Sequence, residues 1–312
     1  MPSLPALFVE RLKSIVPSDS FERVLNLLST HASAGIRVNT LKFSKALAIS
    51  FLADQGITVS ALEAAPEIMI VSSSARQQLR DCELFTEGQL YWQAPSSALP
   101  VRVLAPMPGE RVLDLCAAPG SKTTQMAALM NNEGEIIAIE VVKGRFFKLK
   151  SVCTLTGAMN VKCRLSDGRR FRVSANELFS KVLVDAPCSS EGRFDINNKE
   201  TIGYWSPRKI KEMAHKQKGL LLSASRCVNP GGSLVYSTCT FAPEENEGVV
   251  DWFLNKTSGD FFLEAIDLPG VPRYPVLKSF DQRAYKSDLA ACWRVLPDGV
   301  FSGFFIAKFR RS

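Results

Sequence analysis

Two cysteines of this chain follow predicted buried strands at matching positions. Cys188 lies in the motif Asp-Ala-Pro-Cys-Ser, which begins at Asp185, and Cys239 lies in Ser-Thr-Cys-Thr, which begins at Ser237. A single cysteine after a strand is most often a small buried hydrophobic residue. Two of them at the carboxyl ends of two strands, where open α/β sheets hold their ligands, instead indicate a pair of reactive thiols.

A second stretch has the pattern of a nucleotide-binding corner. Residues 112–115 predict a buried strand, and Ser121 is expected to cap the helix that follows. Between them, Ala117, Ala118 and Gly120 are small enough for a ligand to approach the backbone, and the helix start offers free N–H groups to an anion. The chain lacks both the P-loop spacing and the three spaced glycines of dinucleotide sites here, so the expected ligand is a nucleoside with little or no phosphate.

The next predicted strand also favours a nucleoside. Residues 136–140 read Ile-Ile-Ala-Ile-Glu, and Glu140 lies where sheets of this type hold a ribose diol. A nucleoside that carries a carboxylate instead of a pyrophosphate indicates S-adenosylmethionine as the cofactor. The alternative is that the stretch is an ordinary turn between a strand and a helix. No close spacing of cysteines indicates a metal site, and none is expected.

A thiol beside a methyl donor favours one kind of methyl transfer. Amines and hydroxyls need no covalent nucleophile, whereas C5 of a pyrimidine is a poor nucleophile that becomes reactive when a thiolate adds to C6. A carboxyl group under the ring would stabilise the charge of this adduct, and Asp185 is the candidate. The motif of N-methyltransferases, Asp/Asn-Pro-Pro-Tyr/Phe, is absent because Ala186, Pro187 and Cys188 follow Asp185.

Composition and charge limit the class of protein. The chain has no apolar run long enough to span a membrane and no signal-peptide pattern at residues 1–13. Its eight cysteines are scattered, so we expect reduced thiols in a cytoplasmic or other reducing intracellular compartment. The net charge of +7 favours a polyanionic partner. We expect a monomer that does not bind membranes.

From residue 111 onward, predicted strands and helices alternate, which is typical of a mostly parallel sheet. Strands are expected near residues 111–116, 135–141, 161–165, 181–186, 232–238 and 301–308. The clearest helix is expected over residues 207–228 and ends before Pro230-Gly-Gly. Its outer face carries the cations Arg208, Lys209, Lys211, Lys216 and Lys218.

The segment before the nucleotide-binding corner has its own apolar residues and predicts a small α+β domain. We expect two helices within residues 4–30, a strand over 36–40, a helix from Ser44 to Ala53, and short strands at 58–62 and 68–71. The predicted division is a small N-terminal domain at residues 1–95 and a large domain at residues 96–312.

Three motifs together resemble one enzyme family. Residues 116–122, 185–189 and 237–240 are similar to the motifs of the Sun/Fmu/nucleolar-protein family of RNA cytosine-C5 methyltransferases. The resemblance covers about residues 36–255 and continues weakly to residue 309. It implies a Rossmann-like class I S-adenosylmethionine-dependent methyltransferase with a seven-stranded, mostly parallel sheet, preceded by a small domain that resembles an RNA-recognition fold and binds RNA.

The resemblance also assigns roles to the two cysteines. It implies that Cys239 is the nucleophile and that Cys188 assists product release, with Asp185 and Lys122 completing the catalytic group. In DNA cytosine methyltransferases the cysteine after proline is the nucleophile instead. The spacing in this chain does not choose between the two thiols.

The cofactor-binding positions carry over motif by motif. Glu140 would hold the ribose, Arg145 matches an arginine of the family, and Asp167 would contact the adenine. Asp167 is equally consistent with an ordinary Asp-Gly turn, and Lys122 with a solvated lysine. The other implied positions, around the methionine end, are Cys116, Ala117, Ala118, Pro119, Gly120, Ser121, Lys122 and Asp185.

Two rival functions remain at this point. A DNA cytosine methyltransferase would carry a large target-recognition insertion, and a silent RNA-binding protein of the same fold would have lost one of the motif residues. The favoured partner is tRNA or rRNA, bound through a cluster at residues 169–172 and the cations of residues 208–218 in a salt-dependent manner. We expect a minimal form, without the additional N-terminal or C-terminal domains of some relatives.

Overall fold

The computed structural model describes residues 4–28 and 33–312. The chain begins with two helices, α1 (Ala6–Ile15) and α2 (Phe21–Leu27). Phe8, Leu12 and Val24 are buried on their inner faces, as the apolar spacing predicts. The end of the helical region expected up to residue 30 lies outside the described residues. These helices share a hydrophobic cluster with Phe194 and Phe241, which belong to the large domain.

The small N-terminal sheet follows the β-α-β-β-α-β order of a ferredoxin-like fold, with two short helices in place of the second helix. Its four antiparallel strands lie in the order β2-β3-β1-β4. The helix after β1 begins as expected, because the Ser44 side chain accepts a hydrogen bond from Leu47 N at 3.3 Å. The elements are β1 (Ala34–Val38), α3 (Lys45–Asp54), β2 (Ser60–Ala61), β3 (Ile68–Val71), α4 (Ala75–Gln78), α5 (Glu83–Thr86) and β4 (Leu90–Trp92).

The large domain alternates strands and helices. The first half consists of α6 (Pro95–Leu104), β5 (Arg111–Asp114), α7 (Ser121–Leu129), β6 (Glu135–Glu140), α8 (Lys143–Thr156), β7 (Val161–Leu165) and β8 (Phe179–Asp185). The second half consists of α9 (Pro207–Ser225), β9 (Val228–Thr238), α10 (Glu247–Thr257), β10 (Phe261–Leu263), β11 (Ser279–Phe280), β12 (Arg283–Ala284), β13 (Trp293–Val295) and β14 (Phe304–Arg311).

The large sheet has the strand order β10-β14-β9-β8-β5-β6-β7, and β13 pairs with β14 outside this path. Strands β7, β6, β5, β8 and β9 are parallel, whereas β14 is antiparallel to its neighbours. The chain crosses from one side of β5 to the other between β7 and β8, and such a switch point opens a crevice at the carboxyl ends of the strands. The expected mostly parallel α/β sheet is confirmed, with β13 as an eighth strand.

Helices cover both faces of this sheet. On one face, Met126 of α7 and Leu149 of α8 pack with α6 into one hydrophobic cluster, and on the other face Leu221 of α9 and Phe253 of α10 belong to a second cluster. Burial on both faces explains the apolar runs of the central strands β6 and β8, whereas the edge strand β7 carries Lys162 and Arg164. Within residues 4–28 and 33–312, no helix is long and apolar enough to cross a membrane.

Several boundaries differ from the sequence-based expectation: β1 covers Ala34–Val38 and not 36–40, and β9 begins at Val228 and not at 232. The helix expected to reach residue 228 ends at Ser225, because Val228 already pairs with Phe179 of the neighbouring strand. The last strand, expected at 301–308, lies at Phe304–Arg311. It begins three residues later than expected and continues for three residues beyond the expected end. The expected domain boundary at residues 95/96 falls after the first residue of α6, and it stays a prediction.

Candidate active site

The loops after four parallel strands meet at one edge of the sheet. Backbone hydrogen bonds extend the strand pairing into these loops: Leu115 N donates to Leu183 O at 3.0 Å, and Ala117 N donates to Ile139 O at 2.9 Å. Ala186 N likewise donates to Ser237 O at 2.9 Å. The motifs that are far apart in the sequence therefore start from fixed positions along one edge.

The two motif cysteines are direct neighbours. Asp185 pairs with Ser237 in the parallel register of β8 and β9, so the loops that follow run side by side. They place Cys188 Sγ 3.4 Å from Cys239 Sγ. Both thiols are partly exposed. The hydroxyl of Ser190 lies 3.6 Å from Cys239 Sγ and 3.9 Å from Cys188 Sγ, so it completes a small group around the pair.

The environment makes the two thiols electrostatically unequal. The pKa of Cys239 is lowered because the Cys188 thiol donates a hydrogen bond to it, and the positive charge of Arg193 adds to this effect. The pKa of Cys188 is raised for the complementary reason and because its thiol has lost most of its hydration. At neutral pH the thiolate is therefore favoured on Cys239, the more nucleophilic state of a cysteine. Arg193 is the cation that contributes most to the lowered pKa of Cys239.

Lys122 instead binds the carboxylate of Asp185. Its ammonium lies 2.7 Å from Asp185 Oδ2 and 2.8 Å from Ser97 Oγ. The other carboxylate oxygen, Oδ1, accepts a hydrogen bond from Ser237 Oγ at 2.8 Å. Asp185 remains about one-third exposed, while Lys122 is almost buried. The carboxyl group is thus fixed in orientation beside the thiols and is still accessible to a substrate. Lys122 is not a solvated lysine.

The turn before α7 forms the expected cradle, with one correction. Gly120 has φ of 113° and lies at the cap position, where we expected Ser121. Only glycine adopts this backbone conformation without strain. Ser121 is the first residue of the helix, and its carbonyl accepts a hydrogen bond from the buried guanidinium of Arg37 in the small domain. The first N–H groups of α7 have no carbonyl partner within the helix, as at any helix N-terminus.

Glu140 is buried at the end of β6. Its Oε1 accepts hydrogen bonds from Val141 N at 2.9 Å and Val142 N at 2.8 Å. Arg145 lies 3.6 Å from Glu140 Oε2 and also donates to Ala118 O at 2.6 Å, so it joins the β6 loop to the cradle. One oxygen of Glu140 is held by the backbone, and the other forms an ion pair with the half-exposed guanidinium of Arg145.

An apolar surface adjoins Glu140 and was not expected. Val141 and Val142 are 59% and 50% exposed, and Leu165 at the end of β7 is 49% exposed. Leu165 is paired with Glu140 in the strand register, so these side chains border the same loop. Exposed aliphatic groups beside a buried acid fit a flat base next to a ribose. The signal in the sequence was the valine pair directly after Glu140.

Asp167 lies on the neighbouring loop. The preceding residue, Ser166, donates its N–H to Glu140 O at 3.0 Å, and Gly168 packs against Leu115. The Asp167 carboxylate caps a short 3₁₀ turn and is bound by Arg169, whose guanidinium lies 2.7 Å away and lowers the pKa of Asp167. The Asp167 carboxylate therefore serves the ordinary turn that the sequence allowed, and its contact with the adenine stays a prediction.

Asp114 is a buried acid that the sequence analysis did not select. Its Oδ2 accepts a hydrogen bond from Thr123 Oγ1 at 2.7 Å. In the part of the chain that the structure describes, Oδ1 has no hydrogen-bond partner. Burial raises the pKa of Asp114 to about 6. A buried carboxylate oxygen without a donor under the cradle fits a ligand that brings its own donor.

Two family models match this chain. The model for 16S rRNA methyltransferase RsmB/F covers residues 101–310, and the model for the ferredoxin-like domain of RsmF/B-like methyltransferases covers residues 4–76. The first alone spans more than half of the chain. The chain belongs to the RsmB/F family of RNA methyltransferases. The family resemblance drawn from the three motifs is confirmed, as is an N-terminal domain distinct from the methyltransferase fold.

Individual relatives of this chain support the same family assignment. The tRNA (cytosine(49)-C(5))-methyltransferase of Pyrococcus abyssi is 42% identical over 228 residues, which are 73% of this chain and 72% of that protein. Ribosomal RNA small subunit methyltransferase F of Escherichia coli O139:H28 is 36% identical over an alignment of 321 positions. This alignment covers 99% of this chain and 63% of that protein. The chain thus spans less than two thirds of the length of the second relative.

Solved structures show the same fold. A methyltransferase homolog protein from Pyrococcus horikoshii superposes with a TM-score of 0.83 and 30% identity, over 99% of this chain and 96% of that one. NSun6 from the same archaeon, solved with SFG, has a TM-score of 0.84 at 23% identity and covers 99% of both chains. The RsmB/F chain therefore has the α/β methyltransferase fold with its small N-terminal domain, as expected.

Proposed function

We propose that this protein transfers a methyl group from S-adenosylmethionine to C5 of a cytosine in RNA, with Cys239 as the covalent nucleophile. The observation that carries the proposal is the thiol pair, 3.4 Å apart at the carboxyl edge, in which the pKa of Cys239 is lowered and that of Cys188 is raised. A methyltransferase of amines or hydroxyls has no use for such a pair.

The cradle fits S-adenosylmethionine by its chemistry. The N–H groups at the start of α7 suit the carboxylate of a methionine moiety, and the free oxygen of Asp114 suits a positively charged amino group. Glu140 Oε2, which Arg145 approaches only to 3.6 Å, suits a ribose hydroxyl, and the apolar surface at Val141 and Leu165 suits an adenine. When bound, the cofactor supplies an electrophilic methyl group on a sulfonium.

The residues of this chain would act in a defined order. The Cys239 thiolate adds to C6 of the cytosine, and the electron pair of the C5–C6 double bond moves so that C5 becomes nucleophilic. Asp185, held by Lys122 and Ser237, is placed to hydrogen-bond the ring at N3 or the 4-amino group and stabilise the charge of the adduct. These two groups prepare C5 for methylation.

Release requires the reverse electron flow. Once C5 carries the methyl group, Cys188 loses its thiol proton to solvent, and its thiolate, or a water molecule that it positions, takes the C5 proton. The C5–H electron pair re-forms the C5–C6 double bond, the C6–Sγ bond breaks, and its pair returns to Cys239 as the thiolate. The raised pKa of Cys188 keeps its proton in place while Cys239 attacks.

RNA is the proposed partner on chemical and family grounds. Helix α8 carries Lys143, Arg145, Lys148 and Lys150 without any carboxylate, and Phe147 is 54% exposed on it. Exposed cations beside an exposed aromatic ring suit a single-stranded nucleic acid. On α9, by contrast, Glu212 forms ion pairs with Lys209 and Lys216, so part of the expected basic face is neutralised.

A denaturing gel tests the mechanism with in vitro transcripts of tRNA and 16S rRNA and a DNA oligonucleotide of the same sequence as control. With S-adenosylmethionine present, Cys188→Ala is expected to accumulate a denaturation-resistant protein–RNA band, because the bond forms but is not broken. Cys239→Ala is expected to give neither the band nor 5-methylcytosine. A band with Cys239→Ala and not with Cys188→Ala would reverse the two roles. Full activity of both variants would exclude the covalent mechanism.

A further inference from the structure

Two buried carboxylates cross between the cysteine loops, and neither belongs to the motifs that carry the chemistry. Glu191 lies three residues after Cys188 but binds the loop that contains Cys239. Its Oε2 accepts hydrogen bonds from Thr240 Oγ1 at 2.9 Å and from Phe241 N at 3.1 Å. Its Oε1 accepts one from Trp205 Nε1 at 2.7 Å. Glu191 is 1% exposed.

Glu245 makes the reciprocal contacts. It follows Cys239 by six residues, yet its carboxylate accepts hydrogen bonds from Ser189 N, the residue after Cys188, at 3.0 Å and 3.3 Å. Gln217 of α9 donates to Glu245 Oε2 at 2.8 Å and to Pro187 O at 3.0 Å. Glu245 is fully buried. Hydrogen bonds to Glu245 and Gln217 thus fix the backbone on both sides of Cys188, at Ser189 N and Pro187 O.

A direct contact joins the same two loops between these carboxylates. Ser189 Oγ and Thr240 Oγ1, each the residue after a motif cysteine, are hydrogen-bonded at 2.7 Å. Gly192 N also donates to Cys239 O at 3.0 Å. Each loop is therefore bound by a carboxylate of the other loop. These contacts and the pairing of β8 with β9 together hold the two thiols next to each other.

Burial of such acids is unfavourable on its own. Moving a carboxylate out of water is unfavourable unless hydrogen bonds from the protein replace its hydration. Burial raises the pKa of Glu191, and it raises the pKa of Glu245 to about 8. Apolar residues of similar size would pack the same space without this penalty, but they would not orient two loops.

We propose that Glu191 and Glu245 are positioning residues that set the geometry of the thiol pair, with Glu245 acting on release through Cys188 and Glu191 acting on attack through Cys239. This proposal rests on the proposed function. It follows from which loop each carboxylate binds. Loss of Glu245 frees Ser189 and the backbone beside Cys188, and loss of Glu191 frees Thr240 and Phe241 beside Cys239.

The test separates bond formation from bond breakage in single-turnover reactions with substrate RNA and S-adenosylmethionine. For Glu245→Ala we expect adduct formation near the wild-type rate and release slowed by about tenfold or more, since small displacements of reacting groups have effects of this size. The covalent band then accumulates. For Glu191→Ala we expect slower adduct formation and no accumulation.

Matched variants distinguish positioning from loss of folding. Glu245→Gln keeps an acceptor oxygen for Ser189 N and is expected to restore part of the release rate. Glu244→Gln changes the adjacent acid, which is partly exposed and pairs with Arg11 at 2.8 Å, and is expected to leave both rates unchanged. If Glu245→Ala does not fold by circular dichroism, Gln217→Leu removes the support of Pro187 and is expected to give the same accumulation.

The outcomes for this proposal and for the covalent mechanism are separable. If Cys188→Ala accumulates the band while Glu245→Ala and Gln217→Leu slow attack and release by the same factor, the positioning role is wrong and the mechanism stands. The positioning role is equally wrong if neither rate changes in these two variants. If Cys188→Ala and Cys239→Ala both keep full activity, the covalent mechanism itself is refuted.

Discussion

The protein contains two pairs of neighbouring thiols, and they differ in what surrounds them. Cys188 and Cys239 lie at the carboxyl edge of the sheet, whereas Cys153 of α8 and Cys163 of β7 line a cavity of about 360 Å³ beside the sheet. In both pairs one pKa is lowered and the other raised. The pKa of Cys163 falls because Cys153 donates a hydrogen bond to it, with Lys150 contributing as well.

A thiol–thiol hydrogen bond therefore does not define a catalytic site. Cys163 pairs with Ala138 in the middle of its strand, so the sheet offers it no loop edge and no crevice. The motif pair has Asp185 and Lys122 beside it and the cofactor cradle at the next strand ends. Two features therefore distinguish Cys188 and Cys239 from Cys153 and Cys163. The first is their location at the switch point of the sheet, and the second is the fixed carboxyl group of Asp185 beside them.

Removing the fixed carboxyl group should have the largest effect. Asp185→Asn keeps the shape but removes the charge that Lys122 holds, and we expect kcat to fall by about 10²–10³, the size of losing one preorganised electrostatic group. Methyl incorporation from labelled cofactor measures this. Asp260→Asn, the same change at an exposed position after α10, serves as the control. A loss below threefold would mean that Asp185 is not what sets the motif pair apart.

The cofactor cradle should matter next. Glu140→Ala removes the buried acceptor at the end of β6, and we expect the Kd for S-adenosylmethionine to rise by about tenfold, since a hydrogen bond to a charged group is worth roughly 1.5 kcal/mol or more. Calorimetry gives the value. Glu133→Ala, an exposed acid before the same strand, should bind normally. Equal affinities of the two variants would remove Glu140 from the cofactor site.

The pH dependence of alkylation sharpens the comparison between the thiol pairs. Only the thiolate reacts with iodoacetamide, so its rate rises with pH through the pKa of each cysteine. A lowered pKa places the midpoint for Cys239 below that of a free thiol, about 8.5. Cys188→Ala removes the hydrogen bond and should move this midpoint to higher pH. Peptide mapping by mass spectrometry follows each site, and an unmoved midpoint would contradict the role of Cys188.

The structural pair should contribute least to turnover. Cys163→Ala is expected to leave kcat within about twofold of wild type and to lower the free energy of unfolding by about 1 kcal/mol, as ordinary core substitutions do. Methyl transfer and thermal unfolding measure the two effects. A kcat loss as large as that of Cys239→Ala would abolish the distinction between the pairs.

Sequence periodicity predicted the parallel core of the sheet because its strands are long apolar runs that end in loops with motif residues. It missed β10 and β13, which have three residues each and carry no periodic signal. It also extended α9 to residue 228, because a helical pattern does not show where pairing with Phe179 begins. Ser190 and Arg193 were missed since they lie in an irregular loop.

The sequence by itself determined the family, the order of the elements and the residue types that can do the chemistry. These are local properties, since a motif such as Asp-Ala-Pro-Cys and the strand before it lie within one short segment. Only the tertiary structure decided that Arg193 acts on Cys239, that Lys122 binds Asp185, and that Glu191 and Glu245 cross between the loops. Those contacts join segments up to 63 residues apart, so their geometry depends on strand order and register, which no single segment encodes.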